Sequence, residues 1–422
     1  MPTFLPFRGV RYNASVVDVV PDDLAAVTAP PYDVVDDDAR VALEARHPRN
    51  PVRLILPRDG DGADRYSRAA DDLRGWQAEG ALVRDPAPRF YRYRMRFVDE
   101  DGGERETLGV LGALGVTDVG PPTGVLPHER TMPKARSDRL ELLRSTRANL
   151  DPIWGLAAAP GLSARLESPV APLARAVDED GTEHLLDAID DPTTISAISD
   201  AVAGNAIVLA DGHHRFETAR AFLDESGAPG AGAILALIVE LADDQLCVRA
   251  IHRLLSGLGR FDLRAGLTGS FTVVPVGTNT PEEVDALRAR MVDEHALGLV
   301  DHDGLALLVP DENGLAGGLT ELAEPVRHTD AARFDAGVVP VVPATTEIGY
   351  RNDANTVAAL VDKGAADAAV LLRPVTVPDI EAAAAVGARM PQKTSFFHPK
   401  PRTGMVFRLV DRLSEEPASD AG

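Results

Sequence analysis

The segment NAIVLADGHHRFETARAFLDE, residues 205–225, constrains the fold of this chain most strongly. It reads as an apolar strand, a glycine turn and a helix in immediate succession. Segments elsewhere in the chain also alternate between strand and helix patterns. We therefore predict a mixed α/β fold, with both α/β and α+β portions.

Three further segments carry clear secondary-structure patterns. Residues 89–100, RFYRYRMRFVDE, alternate aromatic and basic residues, which predicts a strand with one buried face. We expect the arginines of this strand to lie on a solvated or inter-domain face. Residues 64–81 have apolar positions at helical spacing before Gly80, and the short apolar run VRLILP, residues 52–57, is consistent with a buried strand. The arginines concerned are Arg89, Arg92, Arg94 and Arg96.

The length of 422 residues suggests two or three domains. We predict an N-terminal α+β module over residues 1–115, a phosphate-binding core over 116–260 and a C-terminal α/β domain over 261–413 that completes the site. The polar tail, residues 414–422, is expected to be disordered.

Composition excludes several classes of protein. A single cysteine, Cys247, cannot form an intrachain disulfide or a cysteine-based zinc site. The net charge of −22 disfavours nucleic acid as a partner. The first residues lack a signal-peptide pattern, and the most apolar window, residues 230–239, is shorter than the ~18 residues of a membrane-spanning helix. We expect a cytoplasmic protein that binds neither nucleic acid nor membrane.

The Asp-Gly-His-His-Arg turn, residues 211–215, is the strongest candidate site. A strand that ends in Asp-Gly and opens a helix brings backbone N–H groups, the positive helix end and cationic side chains together, which suits phosphate. Asp211 could accept a hydroxyl proton, hold a metal ion or cap the helix. The structural alternative makes one histidine a packed core residue and Arg215 an ion-pair partner of Glu217 or Glu240.

Two weaker polar clusters accompany this turn. The proline-stiffened loop of residues 125–140 presents a histidine beside a carboxylate, which could act as a general base, and cations that suit phosphate oxygens. Residues 390–400, MPQKTSFFHPK, would suit an anion. The residues of interest are His128, Glu129, Arg130, Lys134 and Arg136 in the first cluster, and Lys393, Thr394, Ser395 and Lys400 in the second.

The motifs PPYDVV, LPHERT, ADGHHR and KTSFF with a following PK, in this order, resemble the bacterial and archaeal family catalogued as domain of unknown function 1015. Residues 120–150, 205–225 and 350–405 are also similar to free serine kinases of the ParB/sulfiredoxin-like fold. This partial similarity implies a ParB/sulfiredoxin-like catalytic core. The first ~115 residues have no counterpart in those kinases, and the longer interval between Glu129 and Asp211 implies an insertion near residues 157–200.

The resemblance implies phosphorylation of free L-serine to O-phosphoserine with ATP or ADP and Mg²⁺. It makes Glu129 the general base, and makes the Asp-Gly-His-His-Arg turn the phosphate and metal site. Two other functions stay open: a phosphoserine phosphatase that uses the same pocket, and a non-catalytic, nucleotide-responsive ParB-like module. A homodimer also stays open. The implied roles are catalytic for Glu129, Asp211 and His213, nucleotide or phosphate binding for Gly212, His214, Arg215, His128, Lys134 and Arg136, substrate binding for Lys393, Thr394 and Ser395, and metal binding for Asp211.

Overall fold

The computed structural model describes residues 1–20, 23–60, 64–100, 102–120, 124–127, 133–167 and 172–410. These residues form a mixed α/β structure, which confirms the predicted fold class. The strands are β1 (Phe4–Leu5), β2 (Gly9–Tyr12), β3 (Leu82–Arg84), β4 (Phe90–Val98), β5 (Glu104–Gly115), β6 (Val125–Pro127), β7 (Ala148–Asn149), β8 (Ile153–Ala157), β9 (Ala174–Val177), β10 (Glu183–Ile189), β11 (Ile207–Asp211), β12 (Ala233–Glu240), β13 (Cys247–Arg249), β14 (His252–Ser256), β15 (Phe271–Gly277), β16 (Leu297–Asp301), β17 (Gly304–Pro310), β18 (Glu347–Arg351), β19 (Ala368–Leu371), β20 (Phe396–His398) and β21 (Phe407–Leu409).

The α-helices alternate with these strands. They are α1 (Asp37–Arg46), α2 (Val52–Ile55), α3 (Arg65–Ala78), α4 (Pro133–Thr146), α5 (Leu162–Leu166), α6 (Pro192–Ala203), α7 (His213–Ser226), α8 (Leu263–Leu267), α9 (Pro281–Asp293), α10 (Glu312–Leu319), α11 (Glu324–Arg327), α12 (Asp330–Gly337), α13 (Ala354–Asp362) and α14 (Val377–Ala385). Within the described ranges, no helix is both long and apolar enough to cross a membrane.

The chain divides into two compact units, and the second is inserted into the sequence of the first. Unit 1 contains the described residues up to 247 together with residues 399–410, and unit 2 is residues 248–398. This division differs from the expected boundaries at residues 115 and 260. The physical reason is that β5, which ends at Gly115, pairs along its length with β12 of the same sheet.

Unit 1 is built on a large mixed sheet with the strand order β6-β11-β8-β12-β5-β4-β10-β9, and β1 pairs with β5. Only the β11–β6 and β12–β8 pairs of this path are parallel. Apolar side chains of β8, β11 and β12 pack with those of α5, α6 and α7 into one core. A second sheet has the order β3-β2-β21-β7, so residues 407–409 complete a sheet that begins near the N-terminus.

Unit 2 contains a six-stranded sheet with the order β15-β17-β16-β19-β14-β18, in which neighbouring strands are antiparallel. Helices α9 and α13 pack their apolar residues against this sheet, with Val284, Leu287 and Val357 among the residues that are buried there. The strands β13 and β20 form a separate two-stranded sheet.

The predicted strand at residues 52–57 is wrong, because Val52–Ile55 form the short helix α2. Asn50 Oδ1 accepts the N–H of Val52 at 3.0 Å, and Pro51 holds helical dihedral angles, so both residues favour a helical start. Val52, Leu54 and Ile55 are all buried. A short apolar run fits a buried helical turn as well as a buried strand, so the pattern alone could not separate them.

The strand over residues 89–100 is confirmed as β4, but its arginines do not share one solvated face. Arg96 is exposed, whereas Arg92 is buried and donates from Nε to Asp187 at 2.9 Å and from Nη1 to the carbonyl of Leu166 at 2.7 Å. β4 lies between β5 and β10 in the sheet, and Leu166, the last residue of α5, lies over the face that carries Arg92. The helix predicted over residues 64–81 is confirmed as α3.

Candidate functional site

The turn between β11 and α7 holds the Asp-Gly-His-His-Arg motif in a fixed backbone geometry. Gly212 has a φ of +87°, and a Cβ on this residue would lie 2.7 Å from Cγ2 of Ile153. A side chain there would be strained by its backbone angle and by the contact with β8. Glycine is therefore required for the strand to pass directly into the helix.

The carboxylate of Asp211 joins two cations. Arg215 Nη2 donates to Asp211 Oδ2 at 2.6 Å, and Lys400 Nζ donates to Oδ1 at 2.5 Å. Burial would raise the pKa of Asp211, but the charges of Lys400 and Arg215 outweigh it and hold this pKa well below its usual value. Asp211 is therefore a carboxylate at neutral pH, and it fixes both cations at the end of β11.

Arg215 is buried, and its guanidinium is held by several groups of unit 1. Nη1 donates to the carbonyl of Pro152 at 2.6 Å, and the guanidinium lies 5.9 Å from the ring centroid of Tyr32. Burial would lower the pKa of Arg215, but Asp211 and other acidic neighbours raise it, so the group stays charged. Arg215 Nε is buried with no hydrogen-bond partner among the described residues, 3.1 Å from where a Cβ on Gly212 would stand.

A second arginine, Arg139 of α4, extends the cluster. Its guanidinium stacks on Tyr32 at 4.3 Å, and its Nη1 donates to the carbonyl of Ile55 at 2.6 Å. Its Nε donates to Asp138 at 2.9 Å. Burial raises the pKa of Tyr32 to about 12, so its hydroxyl is neutral and the ring serves as a platform between the two arginines.

Asp151, directly before Pro152, is buried in the same cluster. Its Oδ1 accepts a hydrogen bond from the Thr403 hydroxyl, and burial raises its pKa although the charge of Arg215 opposes the shift. A cavity of about 50 Å³ is lined by Asp151, Arg139, Arg215 and Thr218, among others. Leucine, alanine and isoleucine side chains make up much of the rest of its lining, and its volume is enough for one or two water molecules.

These contacts bring distant sequence segments together within unit 1. They include the PPYDVV motif, the helix α4, the Asp151-Pro152 pair, the Asp-Gly-His-His-Arg turn and the Pro-Lys pair at residues 399–400. Of the cations there, Arg215 and Lys400 share Asp211, and Arg139 pairs with Asp138. The described part of the cluster is thus close to charge balance rather than strongly basic.

The sequence-predicted residues are distributed as follows. His213 and His214 are half-buried on the first turn of α7. Arg215 pairs with Asp211 rather than with Glu217 or Glu240. Glu240 accepts hydrogen bonds from the backbone N–H groups of Gly161 and Ser163. His128, Glu129 and Arg130 lie outside the described residues, and so do the side chains of Lys134 and Arg136.

Of the third predicted cluster, Lys393, Thr394 and Ser395 belong to unit 2, whereas Lys400 belongs to unit 1. Lys393 is exposed and has a φ of +58°. Thr394 is buried, and its hydroxyl donates to the carbonyl of Pro391 at 2.7 Å, so this side chain closes a turn. Ser395 is half-buried. The roles proposed for these three residues stay predictions.

The sequence reasoning did not assign Tyr32, Arg139 or Asp151 to the site, and it gave Lys400 no specific partner. Two of them lie in segments that the sequence had already indicated: Tyr32 belongs to PPYDVV, and Arg139 belongs to the polar cluster of residues 125–140. Asp151 carried no such signal: an Asp-Pro pair reads as an ordinary turn.

Solved structures with a distant likeness to this chain include a free serine kinase in complex with AMP. It has 16% sequence identity and a TM-score of 0.39, and the alignment covers 70% of this chain and 98% of that one. A conserved hypothetical protein from Pyrococcus furiosus has 14% identity and a TM-score of 0.38, over 72% and 97% of the two chains. SbnI with a C-terminal truncation, from Staphylococcus aureus, has 12% identity and a TM-score of 0.35, over 69% and 85%.

At these values the likeness assigns no activity to this chain, and the ParB/sulfiredoxin-like core stays a prediction. No curated protein sequence matches the chain. A family profile does match, over residues 4–332, which is well over half of the chain. Its description is "Protein of unknown function (DUF1015)". The chain therefore belongs to the DUF1015 family, as the order of its motifs predicted.

Proposed function

We propose that this protein transfers a phosphoryl group from ATP or ADP to free L-serine, giving O-phosphoserine. Phosphoryl transfer needs a site that holds phosphate oxygens, cations that offset the developing charge, and a base for the attacking hydroxyl. In this proposal the cluster in unit 1 provides the place for the phosphate oxygens and the cations, and Glu129 is the predicted base.

One observation carries this proposal: Arg215 Nε, a buried donor without a described partner, faces the bare Cα of Gly212 at the start of α7. Buried donors in proteins are normally satisfied by protein, water or ligand. The N-cap residue of α7 is Gly212, which has no side chain, whereas Asp36 caps α1 and Asp191 caps α6. The start of a helix beside a charged arginine is a favourable place for a phosphate oxygen.

The three cations, Arg215, Lys400 and Arg139, would act through their positions and their positive charges. Asp211 holds Arg215 and Lys400 in fixed places, so neither side chain has to be ordered when phosphate arrives. A guanidinium has five donors, and Arg215 gives one to Asp211 and one to Pro152. Glu129 would remove the proton of the serine hydroxyl as the oxygen attacks phosphorus.

The described residues do not form a dedicated magnesium site. Both carboxylate oxygens of Asp211 accept hydrogen bonds from cations, and no group of three or more His, Cys, Asp or Glu residues within the described ranges could hold a metal ion. Mg²⁺ in nucleotide sites is commonly held by phosphates, waters and one or two carboxylates. We therefore assign no step of the reaction to a metal held by Asp211.

The direct test is to incubate the purified protein with ATP or ADP, Mg²⁺ and L-serine and to detect phosphoserine by mass spectrometry. The proposal requires phosphoserine with at least one of the two nucleotides. Its absence with both nucleotides, across a panel of hydroxyl amino acids, would refute the proposal. Phosphate release from phosphoserine without nucleotide would identify the phosphatase instead. Nucleotide binding that changes dimerisation, without any turnover, would identify the binding module.

Matched variants assign the residues. Arg215→Ala should weaken nucleotide binding, whereas Arg220→Ala, an exposed position on the same helix, should not. The comparison separates loss of a specific phosphate contact from loss of one positive charge on α7. Equal effects of the two variants would contradict the role of Arg215.

A further inference from the structure

A cavity of about 440 Å³ lies within unit 2, and its lining residues differ from those of the cluster described above. Residues of β14, α10, α12, β18 and the loop 389–392 line it. Its volume is in the range of pockets that hold small molecules. A Cβ on Gly318 would lie 2.6 Å from Cβ of Ala336, so glycine lets α10 and α12 pack closely at this wall.

Arg253 lies at the base of this cavity, in a strand that is paired on both sides. It is opposite Tyr350 of β18 and Val370 of β19, and it is only 2% exposed. The next residue, Leu254, belongs to the apolar core. Because successive side chains of a strand point to opposite faces, Arg253 projects away from that core and toward the α12 side, where Phe334 lies.

The guanidinium of Arg253 is held rigidly. Nη1 donates to the carbonyl of Ile251 at 2.7 Å and Nη2 to that of Gln392 at 3.3 Å. The rings of Phe334 and Tyr350 lie 5.6 and 5.0 Å from it. Burying a guanidinium costs several kcal/mol, so an apolar side chain would suit packing better. A rigid arginine that lines a cavity is the usual means of binding carboxylate or phosphate.

A second cation, Arg389, lines the same cavity, and Asp335 is the carboxylate among the described lining residues. Two positive charges therefore face one negative charge. Met390, which is buried, and Tyr350, which is partly exposed, add apolar surface. This combination suits a small organic anion better than a cation or a neutral sugar.

The cavity is also connected to the predicted substrate motif at residues 393–395. Gln392, whose carbonyl is bound by Arg253, immediately precedes Lys393. Thr394 donates its hydroxyl to Pro391, a residue that lines the cavity. A ligand that contacts the loop 389–392 therefore bears directly on the turn that carries Lys393 and Thr394.

We propose that this cavity is a second binding site, which takes a small organic anion. Arg253 and Arg389 hold its carboxylate or phosphate, and its apolar part lies against Met390 and Tyr350. Occupancy of the site orders the loop 389–395. This inference does not depend on the proposed kinase activity, because the described residues that line the cavity all belong to unit 2.

Isothermal titration calorimetry with phenyl phosphate and with benzoate, in the absence of nucleotide and serine, tests the proposal on the full chain. We expect at least one probe to bind, and the better probe indicates whether phosphate or carboxylate is preferred. Arg389→Ala should weaken binding at least about tenfold, because it removes a charge-assisted contact. Lys363→Ala, an exposed position in unit 2, should leave it unchanged.

Two further variants keep the test decisive. Arg253→Met should abolish binding, and circular dichroism checks that this variant is folded. Arg215→Ala should retain binding, because it changes only the cluster in unit 1. Hydrogen exchange should show protection of residues 389–395 when the probe is bound. The proposal is overturned if neither probe binds at millimolar concentration, if binding survives Arg389→Ala, or if it is lost in Arg215→Ala.

Discussion

Lys400→Met should destabilise unit 1 through its effect on Asp211. The two charged atoms are 2.5 Å apart, and the side chains are 14% and 13% exposed. At an effective dielectric constant of about 20, two unit charges at this distance attract each other by roughly 7 kcal/mol. Most of this energy is offset by the desolvation of both groups. Arg215 still neutralises Asp211 in the variant, so we expect a loss of about 2–3 kcal/mol in the free energy of unfolding.

Urea unfolding followed by tryptophan fluorescence measures this loss, because both tryptophans, Trp76 and Trp154, lie in unit 1. Arg220→Met, an exposed cation on α7, is the control and should change stability by less than about 0.5 kcal/mol. The double variant of Lys400→Met with Asp211→Asn should be less destabilised than the sum of the single variants.

The pH dependence provides a second check on the same pair. The pKa of Asp211 in the folded protein lies below its unfolded value of 3.8, so its stabilising contribution is complete well above that pH and is lost as the pH falls below it. The difference between the wild-type protein and Lys400→Met should therefore shrink in acid. A variant as stable as the Arg220→Met control, or a difference that does not depend on pH, would refute the reasoning.

Of the four other predictions, the first rests on the proposed function and the remaining three rest on the structure. Glu129→Gln should lower turnover by about 10²-fold or more while nucleotide affinity, measured by calorimetry, is retained. Gly212→Ala should lower the free energy of unfolding in urea by about 2–4 kcal/mol, because the strained backbone angle and the clash with Ile153 both oppose a side chain. Gly227→Ala is the control: its φ is +55° but no atom lies near the new Cβ, so the loss should be about 1 kcal/mol. Arg92→Ala should cost about 3–5 kcal/mol in the same assay, because it leaves its buried carboxylate partner uncompensated. Burial lowers the pKa of His252 from 6.5 to about 3, so between these pH values the unfolded chain binds a proton that the folded chain does not. The free energy of unfolding should therefore fall by up to about 1.4 kcal/mol for each pH unit below 6.5. The variant His252→Asn should lack this pH dependence.

The elements with strong local patterns were predictable from the sequence. The alternation of β4, the amphipathic face of α3 and the strand-glycine-helix order of residues 205–225 each reflect a backbone periodicity or a glycine conformation, which short windows of sequence record. The short helix α2 was not predictable, since four buried apolar residues carry no period. The burial of Arg92 was not predictable either, because it depends on Asp187, which lies 95 positions further along the chain.

The candidate site shows the same division between local and long-range information. The motif around Asp211 identified the turn at the centre of the cluster, since its geometry is local. The partners of that turn come from remote segments, and Lys400 is 189 positions away. A contact over such a distance leaves no periodic pattern in the sequence. The sequence therefore indicated the segments but not that Lys400 pairs with Asp211, or that Arg139 and Arg215 both lie near the ring of Tyr32.

The insertion of unit 2 between Cys247 and Pro399 has a consequence for synthesis of the protein on the ribosome. When residue 247 emerges, β2 and β7 still lack β21 between them, and Asp211 lacks Lys400. At 5–20 residues per second, the ribosome needs roughly 8–30 s to add residues 248–398. During that delay the nascent first unit exposes an unpaired strand edge, which is prone to aggregation. If unit 2 folds early, the pairing of β13 with β20 brings its two ends together. Residues 399–410 then have a shorter distance to cover before they join the first unit.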